Sequence, residues 1–464
     1  MTASPFIPRR FLFGGFSLVL GLAFALPAFA QAGRPKMVPG KAATDTRAAR
    51  ALYDEANTYV TRKYEEFNRR SISFDPRLEA ATRQEQKDQA ARNAVTLSAR
   101  GPATGDDLYY LGLLYHLSDN SDGALAALRQ FVTSCGTGEL AQTARSAIVV
   151  HALKKSLLPE AESTLAEYAQ QQPQSQQERY GMETLTADAF YKEKNYERMA
   201  AHAAEMLKAA KLLAAVKSEP LKRDQMLFKS MVFLSEAYRK LGKKSLAIGA
   251  VDDLRKFAVT LPSGNLYKMA TGRLWDIEPA ADTMKVFEDV GTIQAKSAPE
   301  LEAAQWLDQT PGKLSDFRGR VVLLDFWAPW CGPCRFTFPK LKSWHEKYRN
   351  EGLVILGVTN FYGEIEGHSV TRDQELAYLR DFKKKNQLPY GFAIANSRAN
   401  DMNYAVFSIP MSFLIDRRGT VRFITAGAGE EQAAALAKMI RKLLDEPEEA
   451  DTGTRGHGDA AIRK

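Results

Sequence analysis

A chain of 464 residues with 45% hydrophobic and 25% charged side chains has an ordinary globular composition, and the length for two or three domains with their own cores. Three cysteines are too few for a disulfide scaffold. The net charge of +8 is spread over many segments, no basic run is interleaved with aromatics, and no nucleic-acid site is read.

The first thirty residues have the three parts of a secretory signal peptide. Arg9-Arg10 form the charged region, Phe11 to Leu26 the apolar core, and Ala28-Phe29-Ala30 the cleavage site. That core is shorter than the ~20 residues a membrane-spanning helix needs. The expectation is export to the periplasm, with tethering by an uncleaved signal anchor as the alternative. Arg9-Arg10 before Phe11-Leu12-Phe13 also resembles a twin-arginine signal, although Pro8 stands where a polar residue is usual, so the export route stays open. Removal of this segment leaves a charge of about +6. Residues 31–44, rich in Gly, Pro, Lys and Ala without a period, read as a flexible lead-in.

From 45 to 280 the chain reads as helix after helix, beginning with Thr46 to Arg70, whose apolar stripe is Leu52, Ala56, Tyr59, Val60 and Tyr64. A loose repeat runs through it. Leu108-x-x-Leu111-Gly112-x-x-Tyr115 precedes Ala124, Leu128 and Phe131; Val149 and Ala152 precede Ala161, Leu165 and Tyr168; Ala187 and Phe190 precede Met199, Ala203 and Met206; Leu234 and Tyr238 precede Ala247, Val251 and Leu254. This resembles the tetratricopeptide pattern of a small residue at a helix crossing and an aromatic in the groove, stretched beyond the usual period. An irregular helical bundle remains the other reading. Cys135 is expected to be a buried helical thiol. Residues 281–298 read as a linker.

From 299 to 445 the pattern changes to strands alternating with helices, which predicts an α/β sheet. Strands are expected at Val321–Phe326, Leu353–Thr359, Gly391–Ala395, Met411–Ile415 and Val421–Thr425. Helices are expected over Cys331–Tyr348, Asp373–Lys385 and Glu430–Leu444. The charged tail 446–464 reads as disordered.

The chemistry sits where the first of these strands meets a helix. The apolar run Val321 to Phe326 delivers Trp327-Ala328-Pro329-Trp330-Cys331-Gly332-Pro333-Cys334 to a helix start. Two cysteines so spaced can close a small disulfide ring, and the helix N-terminus favours a thiolate on the first. The reading is dithiol–disulfide exchange without a cofactor. A zinc site would need two further ligands, and Cys135 and the histidines offer no paired spacing, so no metal is expected.

The string Asp325 to Cys334 resembles the active-site segment of thioredoxins. Residues from about 300 to 444 resemble the TlpA/ResA class of exported thiol-disulfide oxidoreductases. Further support lies in Leu314 to Arg320, Gly352 to Val358, the longer stretch from Asn360 to Ala395, and Ser408-Ile409-Pro410 before Phe413-Leu414-Ile415-Asp416. The resemblance implies a multi-domain protein, an all-α tetratricopeptide-like region followed by an α/β thioredoxin-fold domain. It makes Cys331 the exposed nucleophile and Cys334 the resolving thiol of a redox-active disulfide. Gly332 and Pro333 become the dipeptide that tunes it. Pro410 would be cis and face the dithiol, Ile409 would offer backbone groups to an extended client, and Trp330 would face that client while Trp327 packs. Asp325 would be the buried carboxyl that exchanges protons with Cys334. Gly332-Pro333 is the dipeptide of reducing thioredoxins, so the activity implied is reduction of protein disulfides. Electrons would come from a membrane donor, and partners or clients would bind the helical repeats. A disulfide oxidase or isomerase on the same fold, and a binding protein with an accessory redox domain, are the alternatives.

Overall fold

The computed structural model describes residues 45–73, 75–216, 219–281 and 297–447. The signal segment and lead-in, most of the linker and nearly all of the tail read above lie outside the described residues. Among the described residues no helix is long and apolar enough to cross a membrane.

Helices α1 (Ala49–Asn57), α2 (Tyr59–Arg69), α3 (Pro76–Ser98), α4 (Gly105–Leu117), α5 (Ser121–Ser134) and α6 (Glu139–Lys154) come first. They are followed by α7 (Leu158–Gln170), α8 (Gln176–Lys192), α9 (Tyr196–Ala215), α10 (Pro220–Lys240), α11 (Lys244–Thr260) and α12 (Gly264–Ile277). Consecutive helices pack on one another, α4 on α5, α6 on α7, α8 on α9 and α10 on α11 among them. The repeat positions Ala124, Ala161, Met199 and Ala247 are all buried. At Gly112 a Cβ would stand 2.4 Å from the Leu128 side chain, so the crossing of α4 and α5 requires the missing side chain. The helix read over Thr46–Arg70 is two helices. Thr58 breaks it, with its hydroxyl as well as its amide bonded to the Asp54 carbonyl.

Cys135 departs from its expected burial. It is exposed and caps the C-terminus of α5. The apolar stripe of Leu128 and Phe131 points the next turn inward, but the chain leaves the helix at Cys135-Gly136 before that turn is complete.

The second region is built on a sheet of six strands ordered β1-β6-β3-β2-β7-β8. These are β1 (Gln305–Leu307), β2 (Val321–Phe326), β3 (Leu353–Asn360), β6 (Gly391–Ala395), β7 (Met411–Ile415) and β8 (Val421–Ala426), with a separate hairpin of β4 (Glu364–Ile365) and β5 (His368–Ser369). Strands β2, β3 and β6 run parallel; β1, β7 and β8 join antiparallel. The sheet carries α13 (Gly332–Arg335), α14 (Phe338–Tyr348), α15 (Arg372–Lys385), α16 (Ala399–Asn403) and α17 (Glu430–Asp445). The helix read from Cys331 to Tyr348 is interrupted at Phe336-Thr337. Pro339, at the second position of α14, has no amide for the Arg335 carbonyl, and its ring excludes a continuous helix. Strand β1 and the β4–β5 hairpin are too short to leave an alternating pattern.

The two regions share one core. Buried residues of α8 to α12 form a single apolar cluster with the sheet. The N-terminus of α12 is the joint: the Gly264 and Asn265 amides donate to the Tyr404 and Ala405 carbonyls at 3.0 and 2.9 Å, and Lys268 Nζ donates to Ser408 Oγ at 2.8 Å. A Cβ on Gly264 would fall 2.0 Å from Met411 Sδ and 3.1 Å from Phe413. Gly264→Val should therefore destabilise the protein by about 1–3 kcal/mol, the usual cost of overpacking a core. Urea denaturation measures this; a midpoint equal to wild type would mean the joint tolerates the added methyl groups.

Candidate active site

Strand β2 is buried at every residue, so its last carboxylate-bearing position, Asp325, is held in the interior by neighbours on both sides. In register across the sheet, Asp325 lies opposite Gly357 of β3 and Ser412 of β7; Gly357 lies opposite Phe392, and Ser412 opposite Thr425. Residues directly opposite share a face. The row Thr425–Ser412–Asp325 is thus a polar line across the sheet, flanked on the same face by the apolar Leu323 and Leu414. Ser412 Oγ donates to Asp325 Oδ1 at 3.0 Å, while Oδ2 has no protein partner. Asp325 is 0% exposed, and burial pushes its carboxyl up from 3.8 to about 7, the Ser412 hydrogen bond pulling the other way.

Beyond β2 the chain turns into α13. Cys331 is its N-cap, and its sulfur accepts the Cys334 amide at 3.2 Å. The two cysteines are joined in a disulfide with Cα atoms 5.4 Å apart. Cys334 is fully buried. Cys331, expected to be exposed, is only 4% exposed, because its sulfur turns inward to its partner; Gly332 and Pro333 beside it are exposed. Arg335 holds the loop from below, donating to the Pro329 carbonyl at 3.0 Å while its guanidinium lies over the Phe382 ring.

Trp327 is buried against Phe338, Phe382 and Phe392. Trp330 is 66% exposed and meets Tyr362 edge-on at 5.6 Å. Tyr362 belongs to a loop fixed by the buried Glu375, whose carboxylate accepts the Tyr362 and Gly363 amides at 2.7 and 2.9 Å. The Ile409–Pro410 peptide bond is cis; Pro410 is buried and Ile409 half-buried. Sequence reasoning missed Ser412, Tyr362 and Glu375. Ser412 alone left a signal, as a polar residue inside the apolar run Met411 to Ile415. One histidine contact also went unread: His116 Nδ1 and His151 Nε2, 35 positions apart, meet at 3.0 Å, with Ser121 Oγ 2.9 Å from His151 Nδ1. Burial holds both imidazoles below their usual pKa.

The family model described as AhpC/TSA family matches residues 295–424. Protein DipZ of Mycobacterium bovis is 29% identical over 190 residues, 39% of this chain and 25% of that protein, so the chain spans about a quarter of the length of that relative. Thiol-disulfide oxidoreductase ResA of Bacillus thuringiensis is 29% identical over 131 residues, 28% of this chain and 68% of that protein. A Chlorobium tepidum structure described as a thiol:disulfide interchange protein, DsbE, is 31% identical, covering 32% of this chain and 96% of its own with a TM-score of 0.28. The sheet order, the strand-to-helix cysteine pair and the matched segment make this a TlpA/ResA-like thioredoxin-fold protein, its thioredoxin-like domain preceded by an all-α region.

Proposed function

We propose that the chain is an exported thiol-disulfide oxidoreductase that works as a reductase of protein disulfides. The observation that carries this reading is the Cys331–Cys334 pair at a helix N-terminus, with a carboxyl of pKa about 7 buried in the strand that leads to it. In the reduced protein, the Cys331 thiolate attacks a client disulfide. One Cys331–client bond forms as the client S–S bond breaks, and the departing client thiolate takes a proton from solvent. The Cys334 thiol then passes its proton to the Asp325 carboxylate. Its sulfur attacks Cys331, forming the ring disulfide and expelling the second client thiolate. Two electrons move from the dithiol to the client, and a membrane donor, by resemblance, restores them.

Gly332 and Pro333 support the reducing direction, as the dipeptide that tunes the pair. Exposed Trp330 and half-buried Ile409, with the buried cis Pro410 behind it, are the surface proposed for the client. The helices would act as tetratricopeptide-like recruiters of clients or partners, and their joint to the loop before Pro410 gives them a route to the site. Residues 1–30 support a periplasmic location.

The test is the reduction potential of Cys331–Cys334, titrated on the whole chain because the two regions share a core. A value of about −250 mV or lower is expected; one above about −150 mV would make the protein a disulfide donor.

A further inference from the structure

The reaction just proposed leaves a proton on Asp325, a residue with no exposed atom, once per turnover. Something must carry it to solvent. Asp325 has one polar side-chain partner, Ser412, and the polar row runs on from Ser412 to Thr425. Both of these residues line a cavity of about 30 Å³ between α14 and α17, together with Thr337, Trp344, Gly429 and Glu430. That volume admits a water, which needs roughly 10–15 Å³, and the hydroxyls give it polar partners. Lys340 and Phe336, on the same cavity wall, are exposed, so the cavity reaches the surface.

We propose that Ser412 is the proton relay of this site, carrying protons between Asp325 and water that enters the cavity between α14 and α17. The inference rests on the reductase chemistry above. A hydroxyl is suited to the task because it donates and accepts at once. Protonated Asp325 gives its proton to Ser412 Oγ as the Ser412 hydroxyl proton passes to the cavity water. The serine ends as it began, rotated, and the carboxylate is ready for the next Cys334. The same hydroxyl, donating to the carboxylate, offsets part of the cost of burying it.

The experiment mixes the reduced whole chain with Ellman's reagent from pH 8 down to pH 6, where most Asp325 starts protonated and must shed that proton before it can accept one from Cys334, and follows thionitrobenzoate release in a stopped-flow instrument. The first equivalent reports attack by Cys331 and the second reports resolution by Cys334. The leaving group needs no proton, so the second phase isolates deprotonation of Cys334. Ser412→Ala should leave the first phase unchanged and slow the second about tenfold, less than the loss of a whole general acid–base group because Asp325 itself remains. It should also move the pH midpoint of that phase upward, since the hydrogen bond favouring the carboxylate is gone. Ser412→Thr, which keeps the hydroxyl, should restore the rate. In an Asp325→Asn background, Ser412→Ala should slow nothing further, because a relay has nothing to carry.

A second phase equal to wild type at every pH overturns the relay. Equal slowing in the Asp325→Asn background also overturns it, by making Ser412 a packing residue. A wild-type chain that releases only one equivalent overturns the dithiol reading itself, and the relay with it.

Discussion

If the chain is the reductase proposed, Cys331→Ser should lower protein disulfide reduction by the whole chain to the uncatalysed background, whereas Cys334→Ser should halt it after one covalent step. The difference follows from position. Cys331 caps α13, where its sulfur already accepts the Cys334 amide, a donor that would also favour a thiolate there. A thiolate at that site attacks; a serine hydroxyl, far less acidic, does not. Cys334 is fully buried, the deeper of the two, and in the proposed reaction it displaces the client from Cys331. With serine at 334 the mixed disulfide has no internal exit and accumulates to about one client per chain. Insulin reduction with a chemical dithiol as electron source measures the first variant. Mass spectrometry of the trapped adduct measures the second. A Cys331→Ser protein that keeps a tenth of the wild-type rate would place the chemistry elsewhere, as would adduct formation on the exposed Cys135 in place of Cys331.

How much of this was legible in the sequence depends on the range of the interaction. The strands at Val321–Phe326, Gly391–Ala395 and Met411–Ile415 have the same limits in the structure as in the reading, because buried strands are written as short apolar runs with sharp edges. The two cysteines were legible because their chemistry is local. Cys135 was misread because periodicity says which face a residue would occupy if the helix continued, not where the helix stops. Asp325 could be singled out by its place in a string, but the depth of its burial depends on strands β3 and β7, which arrive 32 and 87 residues later in register. Ser412 showed only as a polar break in an apolar run, and its place could not be read for the same reason, since only strand pairing puts it opposite Asp325. The joint at Gly264 is the extreme case. A glycine at a helix start is unremarkable in sequence, and its meaning appears only when Met411 and Phe413 arrive beneath it.

The largest effect on stability should come from Asp325 and should depend on pH. An exposed aspartate titrates at 3.8, and this one at about 7. Below about pH 4 the carboxyl is protonated in the folded and unfolded chains alike, and burial costs no ionisation. From there to about pH 7 the unfolded chain gives up its proton while the folded chain keeps it. Stability then falls by roughly 1.4 kcal/mol per pH unit, and levels off once the folded carboxyl ionises as well. The accumulated penalty is about 4 kcal/mol at pH 8. Asp325→Asn cannot titrate. Whatever constant offset its amide brings, the stability of the variant relative to wild type should rise by about 4 kcal/mol between pH 4 and pH 8. Urea denaturation of the oxidised proteins at the two pH values measures the change, and groups common to both cancel in the difference. A difference independent of pH would mean that Asp325 titrates normally, and the proton transfer assigned to it would fall as well. With the slope present, the folded protein keeps an ionisable group that weakens it at neutral pH where an apolar residue would not. Such a group is well explained by use: a carboxyl poised near 7 is as ready to take the proton of Cys334 as to release it.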